Sequence, residues 1–168
     1  MAHCFELVVN FGENFEAAQS AALTGPSPMT LQAGSHRFPL HRPILDTSGS
    51  YVALSILPVS VSWGTPMDGT LPRTGLSAAE LTELGQGLYR LLAKFSGYVA
   101  AIVGWDPEAF VDPAGLRGYW GDEPDDDTLD GLVLCETLHN ELGLGGNYVE
   151  FQPGYLWIPY RGEKNGTL

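Results

Sequence analysis

A segment late in the chain concentrates acidic side chains. Residues 121–131 read GDEPDDDTLDG and carry six carboxylates, although the whole chain has only eight lysines and arginines. The six residues are Asp122, Glu123, Asp125, Asp126, Asp127 and Asp130. Carboxylates at this density suit either a divalent cation or an oppositely charged protein surface. We call residues 121–131 the acidic segment.

A calcium loop is one chemistry that the acidic segment suggests. Aligned on Asp126, the EF-hand pattern finds oxygen-bearing side chains at its first, third and fifth positions and Gly131 at its sixth. Its twelfth position falls on Thr137, where a bidentate glutamate is required, and Glu136 misses that position by one residue. The sequence therefore favours a solvated or partner-facing loop over a specific calcium site.

The stretch CETLHNE forms a second group of reactive side chains. On a helix, Cys135 and His139 would lie one turn apart, a spacing that suits zinc, while Glu136 and His139 have the Glu-x-x-His form of di-iron bundles. A further zinc ligand would have to come from His3 or Cys4, and the chain has no second Glu-x-x-His. A cysteine nucleophile is disfavoured because neighbours on one short helix seldom converge on one substrate atom. We therefore expect no catalytic residue, metal or cofactor here.

Aromatic side chains lie next to the acidic segment and near the C-terminus. Tyr119 and Trp120 directly precede the segment, and GYLWIPYRG places Tyr155, Trp157 and Tyr160 close together. Protein interfaces favour buried aromatic anchors with charge at the rim. We predict that Tyr119, Trp120 and the six acids form a partner-binding surface.

The composition is that of a folded, acidic protein. The chain has 168 residues, of which 44% are hydrophobic, so we predict a single domain over residues 1–168. Twenty acidic residues against eight basic ones give a net charge of -12. Because this charge repels phosphates and anionic lipids, nucleic-acid and membrane partners are disfavoured and a basic protein is the expected partner.

The N-terminal stretch and the cysteines indicate a compartment. MAHCFELVVNFGENFEAAQ has no basic region before its apolar run, so we predict no signal peptide. No stretch approaches the roughly eighteen apolar residues that cross a bilayer. We therefore expect a cytoplasmic protein in which Cys4 and Cys135 are reduced.

The first half of the chain alternates strand and helix patterns. Residues 4–11 are rich in β-branched and aromatic side chains and predict a strand, and a helix follows with Phe15, Ala18 and Ala22 on one face. Prolines allow only a weak strand at residues 36–40.

The strongest strand pattern covers residues 51–63. Its alternation changes phase at Pro58, so a bulge at Leu57 and Pro58 would turn both halves toward the core, including Val61 and Trp63.

The clearest helix signal follows a loop that ends near Gly75. Ser77 and Glu80 have the spacing of a capping box, and a leucine-rich stripe follows them. Gly85 and Gly87 each cost about 1 kcal/mol inside a helix, which suggests that a neighbouring element packs closely there.

The remaining residues complete a mixed fold. YVAAIVGW predicts a buried strand, DPEAFVD one helical turn, LDGLVLCETLHNELG a short strand and helix, and YVEFQPGYLWIPYRG a bent strand or hairpin. We predict an α+β fold, an antiparallel sheet with two helices on one face, in a ferredoxin-like βαββαβ order with a C-terminal α/β extension.

In overall character the chain resembles the immunity proteins of bacterial polymorphic-toxin and contact-dependent systems, which neutralise a cognate toxin. The resemblance rests on VGWDPEAF, on PGYLWIPYRGE and on the acidic surface. It implies a non-catalytic inhibitor, monomeric or homodimeric, whose carboxylates replace nucleic-acid phosphates in the groove of a basic toxin such as a nuclease.

Two alternatives stay open. The first is a small enzyme or metal-binding protein that uses Cys135, Glu136 and His139. The second is an accessory subunit of a larger assembly, for which the proline-rich loops and the C-terminal aromatic residues would be docking surfaces.

Overall fold

A computed structural model describes residues 2–24, 29–115, 130–144 and 146–164 of the chain. Two 3-10 helices, Pro66–Asp68 and Glu108–Val111, accompany the longer elements. The longer elements are β1 (Phe5–Asn10), α1 (Phe15–Thr24), β2 (Thr30–Ala33), β3 (His36–Pro39), β4 (Ile44–Asp46), β5 (Ala53–Ile56), α2 (Ala78–Leu92), β6 (Ala100–Trp105), β7 (Val133–Cys135), α3 (Glu136–Leu142), β8 (Val149–Gln152) and β9 (Tyr155–Trp157).

Seven of the strands form one sheet in the order β4-β5-β1-β6-β7-β9-β8, and each ladder between neighbours is antiparallel. The strands β2 and β3 pair separately as a hairpin. The predicted α+β class is therefore confirmed. Apart from the separate β2–β3 hairpin, the elements β1, α1, β4, β5, α2 and β6 follow one another along the chain in the expected βαββαβ succession. The ferredoxin-like fold as such stays a prediction.

Two predicted strands differ from the structure. The weak strand expected at residues 36–40 pairs with β2 outside the main sheet, and β4 takes the place beside β5 instead. The strand expected over residues 51–63 ends at Ile56 in place of continuing through a bulge. Pro58 has no N–H for a ladder, and Ser60 takes a left-handed φ of 66°, so the chain turns there. Val61 still reaches the core, but Trp63 is exposed.

Alternate side chains of β1 enter different clusters on the two faces of the sheet. Leu7 and Val9 lie in the main core, which also contains the buried faces of α1 and α2. Val8 belongs to a smaller cluster with Ile102 of β6 and Leu138 of α3. The first two helices thus share one face, as predicted, and α3 packs on the other.

The first helix packs through small residues. Ala18 and Ala21 are buried, whereas Phe15, predicted on the buried face, is 46% exposed. A Cβ placed on Gly97 would come within 2.8 Å of the Ala17 Cβ, so the helix lies close to that turn. Alanine therefore suits the contact better than a large ring does.

The second helix begins and packs as its sequence indicates. The Ser77 hydroxyl accepts a hydrogen bond from the Glu80 backbone N–H at 3.2 Å. A Cβ on Gly87 would meet a Leu31 methyl at 3.2 Å, and one on Gly85 would meet the Tyr160 hydroxyl at 2.5 Å. Both glycines therefore lie against close neighbours, as predicted. Among the described residues, no helix has the length and apolarity needed to cross a membrane.

Candidate functional site

Most of the predicted partner surface lies outside the described residues. Those positions are Tyr119, Trp120, Asp122, Glu123, Asp125, Asp126 and Asp127. Asp130 is described, and its carboxylate accepts a hydrogen bond from the Arg161 backbone N–H at 2.9 Å. That contact ties the end of the acidic segment to the C-terminal chain.

The residues of CETLHNE do not assemble with the N-terminal pair. The Cys135 N–H donates to the Val99 carbonyl near the end of β1, whereas Cys4 precedes the opposite end. The suggestion that His3 or Cys4 completes a zinc site is therefore wrong. Within the described ranges, no three His, Cys, Asp or Glu side chains are grouped so as to hold a metal ion.

His139 has a packing role in the structure. Its ring meets the Tyr148 ring edge-on, with centroids 4.8 Å apart. Both ring nitrogens are buried and have no hydrogen-bond partner among the residues described. Glu136, by contrast, is exposed. The two side chains of the Glu-x-x-His pattern therefore occupy different environments.

A different cluster of carboxylates forms the strongest candidate site. On the face of the sheet opposite α1 and α2, a groove of about 550 Å³ lies between β1, β4, β5 and the 3-10 helix Glu108–Val111. Its walls include Glu6, Asp46, Tyr51, Ser55, Glu108 and Asp112. The lining residues that the structure describes include no lysine, arginine or histidine. We call this feature the acidic groove.

Glu6 is the buried member of the acidic groove. It stands in the middle of β1 and is only 8% exposed. Directly opposite in the ladder is Gly104 of β6, which contributes no side chain to cover the carboxylate. On the other side, the Ser55 hydroxyl of β5 donates a hydrogen bond to it. The strand geometry therefore holds a carboxyl group at the base of the groove.

The environment of Glu6 disfavours its ionised form. Burial raises its pKa from the ordinary 4.5 to about 7, with smaller contributions in the same direction from Glu108 and Asp106, while the Ser55 hydrogen bond opposes the rise. The protonated form of this carboxyl group is therefore populated at neutral pH, where an ordinary glutamate is ionised. Carboxyl groups whose pKa is raised by burial in a groove are common at functional sites.

The other groups of the acidic groove share its negative field. Hydrogen bonds from the Ser48 hydroxyl and backbone hold the pKa of Asp46 below its usual range, so this carboxylate stays ionised. Burial raises the pKa of Tyr51, and Asp112, Glu108 and Asp46 raise it further. Tyr51 therefore stays a neutral hydrogen-bond donor at physiological pH.

A larger cleft of about 860 Å³ adjoins the acidic groove and shares Ser50, Tyr51 and Asp112 with it. Behind it, the buried Asn10 side chain donates to the Val111 carbonyl at 2.7 Å and accepts from the Gly12 N–H at 2.7 Å. The bond to Val111 holds the 3-10 helix against the sheet, and the bond from Gly12 orients the Asn10 side chain. Groove and cleft thus lie side by side, on either side of these shared residues.

The acidic groove was missed by the sequence analysis, although one signal pointed to it. The stretch FELVVN has a glutamate between two large apolar residues of a predicted strand. A charged residue in a strand usually lies at a sheet edge, where water can reach it. Because β1 lies inside the sheet, between β5 and β6, Glu6 is not at an edge and faces the groove instead.

The C-terminal aromatic residues divide between core and surface. The Tyr155 side chain is buried, and its hydroxyl donates to the Tyr98 carbonyl at 2.8 Å. Trp157 and Tyr160 line a recess of about 340 Å³ beside α2, together with Tyr89. The predicted docking role of these residues stays a prediction.

Comparison of the chain with protein-family models, with curated proteins and with solved structures gives no match.

Proposed function

We propose that this protein is a non-catalytic module that binds a basic protein through the acidic groove, as an immunity protein binds its toxin. The observation that supports the proposal most directly is the set of four carboxylates that line one recess without a described basic neighbour. Such a field accelerates encounter with a positively charged surface and disfavours acidic ones.

The position of the acidic groove also supports the proposal. Asp112, on its wall, precedes residues 116–129 by only four positions in the chain, and five of the six acids of the acidic segment lie in that range. The net charge of -12 adds a long-range field of the same sign. A partner that approaches the groove is therefore attracted by the protein as a whole.

The test is affinity capture from the lysate of the source cell with two charge-matched variants. The groove variant carries Asp46→Asn and Glu108→Gln, and the control carries Glu16→Gln and Glu150→Gln at exposed positions that do not line the groove. We expect the wild type and the control to capture the same basic protein at low salt, and the groove variant to capture much less. Moderate salt should weaken capture by the wild type because exposed charges are screened.

The proposal predicts a difference between variants of identical net charge, so general acidity cannot account for it. Equal capture by the groove variant and the control would contradict the groove assignment. Capture that resists moderate salt would show that charge does not drive the contact.

Acid–base catalysis is a second candidate, which the raised pKa of Glu6 specifically favours. A carboxyl group with a pKa of about 7 can give up or accept a proton near neutral pH, and Glu108 lies on the same groove. Hydrolysis of chromogenic glycosides or esters that Glu6→Gln abolishes would support this function. Such activity surviving in Glu6→Gln would exclude Glu6 as its proton donor.

A further inference from the structure

Glu6 differs from the other carboxylates of the acidic groove in one respect. More than nine-tenths of its surface is buried, yet it lines the groove and no lysine, arginine or histidine among the described residues pairs with it. A buried carboxylate is normally stabilised by a cation or by several hydrogen bonds. Glu6 has one donor, the Ser55 hydroxyl.

We infer that the acidic groove receives an arginine side chain from the basic partner, and that its guanidinium supplies the counter-charge that Glu6 lacks. The inference rests on the proposed function and names the chemical group that the groove recognises. Glu6 then acts as the anchor of the contact, while Asp46 and Glu108 stay exposed at the rim.

The lining of the acidic groove suits a guanidinium better than an ammonium. The carboxylates of Asp46, Glu108 and Asp112 approach from three separate elements, β4, the 3-10 helix and the turn after it. A guanidinium has five donors in a planar fork and can serve several acceptors at once, whereas an ammonium is a compact, strongly hydrated charge. Tyr51, which is half-buried, also lines the groove, and arginine interacts favourably with tyrosine rings.

The neighbouring cleft favours a protein segment over a free amine. The adjoining cleft is lined by both apolar and polar residues, among them Val99, Leu138 and Thr137. It offers room for the chain on one side of an inserted arginine. A small cation would fill only the groove.

Binding of the guanidinium should be coupled to loss of a proton from Glu6. In the free protein, burial and the nearby carboxylates keep part of the population protonated at neutral pH. The titratable groups near Glu6 are Cys4, Asp46, Tyr51, Asp106 with its partner His3, Glu108 and Asp112. Because an inserted cation favours the ionised form, the proton passes to the solvent when the complex forms.

The test is calorimetric titration of the full chain with an arginine-rich peptide with blocked ends, together with its lysine and glutamine analogues. For wild type we expect binding about tenfold weaker at pH 6 than at pH 8, since a group with a pKa of about 7 must be deprotonated first. Titrations in two buffers of different ionisation enthalpy should show close to one proton released at pH 6. The lysine analogue should bind more weakly, and the glutamine analogue should not bind.

Glu6→Gln should bind the arginine peptide more weakly at pH 8 and should lose both the proton release and the pH dependence. The matched control, Glu16→Gln, removes one exposed charge from α1 and should behave as wild type. An unchanged pH dependence in Glu6→Gln, or no binding of the arginine peptide to wild type at pH 8, would overturn the inference.

Failure of the inference can be distinguished from failure of the proposed function. If Glu6→Gln captures the basic partner as wild type does while the Asp46/Glu108 groove variant does not, the groove binds the partner but Glu6 is not its anchor. If the groove variant also captures normally, the proposed function itself is wrong.

Discussion

Replacing Glu6 by glutamine should change how stability depends on pH. The folded protein holds the Glu6 proton up to a pKa of about 7, whereas the unfolded chain loses it near 4.5. Stability from this group is therefore fully present below pH 4.5 and is lost as the pH rises through 7. Glutamine has nearly the same shape, keeps an acceptor for Ser55 and does not titrate.

The expected change in the unfolding free energy follows from the two pKa values of Glu6, about 7 in the folded chain and 4.5 in the unfolded chain. As the pH rises from 5 to 8, the ionisation of Glu6 should lower the unfolding free energy of the wild type by about 2.5 kcal/mol. The Glu6→Gln variant should not show this decrease. Measured by urea denaturation, the difference between variant and wild type should therefore shift by about that amount in favour of Glu6→Gln as the pH rises. The exposed Glu16→Gln serves as the control and should show a nearly constant difference.

The reasoning is contradicted if the unfolding free energies of wild type and Glu6→Gln stay parallel from pH 5 to pH 8. In that case the carboxyl group titrates alike in the folded and unfolded chains. Its burial in the groove would then be incomplete in solution, and the argument for an unpaired carboxylate would fail.

Two further predictions concern packing and are checked by urea unfolding at one pH. The buried Tyr89 hydroxyl donates to the Gly131 carbonyl at 2.6 Å and accepts a backbone N–H, so Tyr89→Phe should cost about 2 to 4 kcal/mol. Tyr98→Phe is the matched control and should be neutral or stabilising, because the buried Tyr98 hydroxyl has no partner among the described residues; equal losses would refute the assignment. Gly85→Ala should lower the unfolding free energy by about 1 kcal/mol or more, because the added methyl group would clash with the Tyr160 ring. In a helix without such a neighbour, the same substitution would raise it by about 1 kcal/mol.

Local signals in the sequence located much of the fold. Ser77 and Glu80 marked the start of α2, and Gly85 and Gly87 marked close contacts that the structure shows. Such features depend on a few neighbouring residues or on the missing volume of a glycine. They can be read without knowledge of the tertiary arrangement.

Features of the fold that depend on distant residues were predicted less accurately from the sequence. Helical spacing places Phe15 on one face with Ala18 and Ala22, but α1 packs closely through its alanines and leaves the Phe15 ring exposed. The strand predicted through Trp63 ended early because Ser60 turns the chain, a conformation stabilised by its N–H bond to the Asp68 carboxylate at 2.8 Å. Neither the helix approach nor the distant acceptor is visible in a local pattern.

The acidic groove illustrates the same limit for the site. The sequence directed attention to six acids in one segment, since they are adjacent in the chain. Glu6, Asp46 and Glu108 are far apart in sequence and meet only because β1, β4 and the 3-10 helix border one recess. The fold builds the cluster, and the sequence marks only one of its members, the glutamate inside the first predicted strand.

Glu6→Gln also separates two explanations for a buried glutamate. If Glu6 were only tolerated by the fold, the substitution would raise stability at pH 8 and change nothing else. If Glu6 is the anchor of a cation site, the same substitution should raise stability and weaken binding of an arginine peptide together, because both effects arise from one unpaired carboxylate. The two measurements on one variant therefore decide whether the cost of burying this charge serves a function.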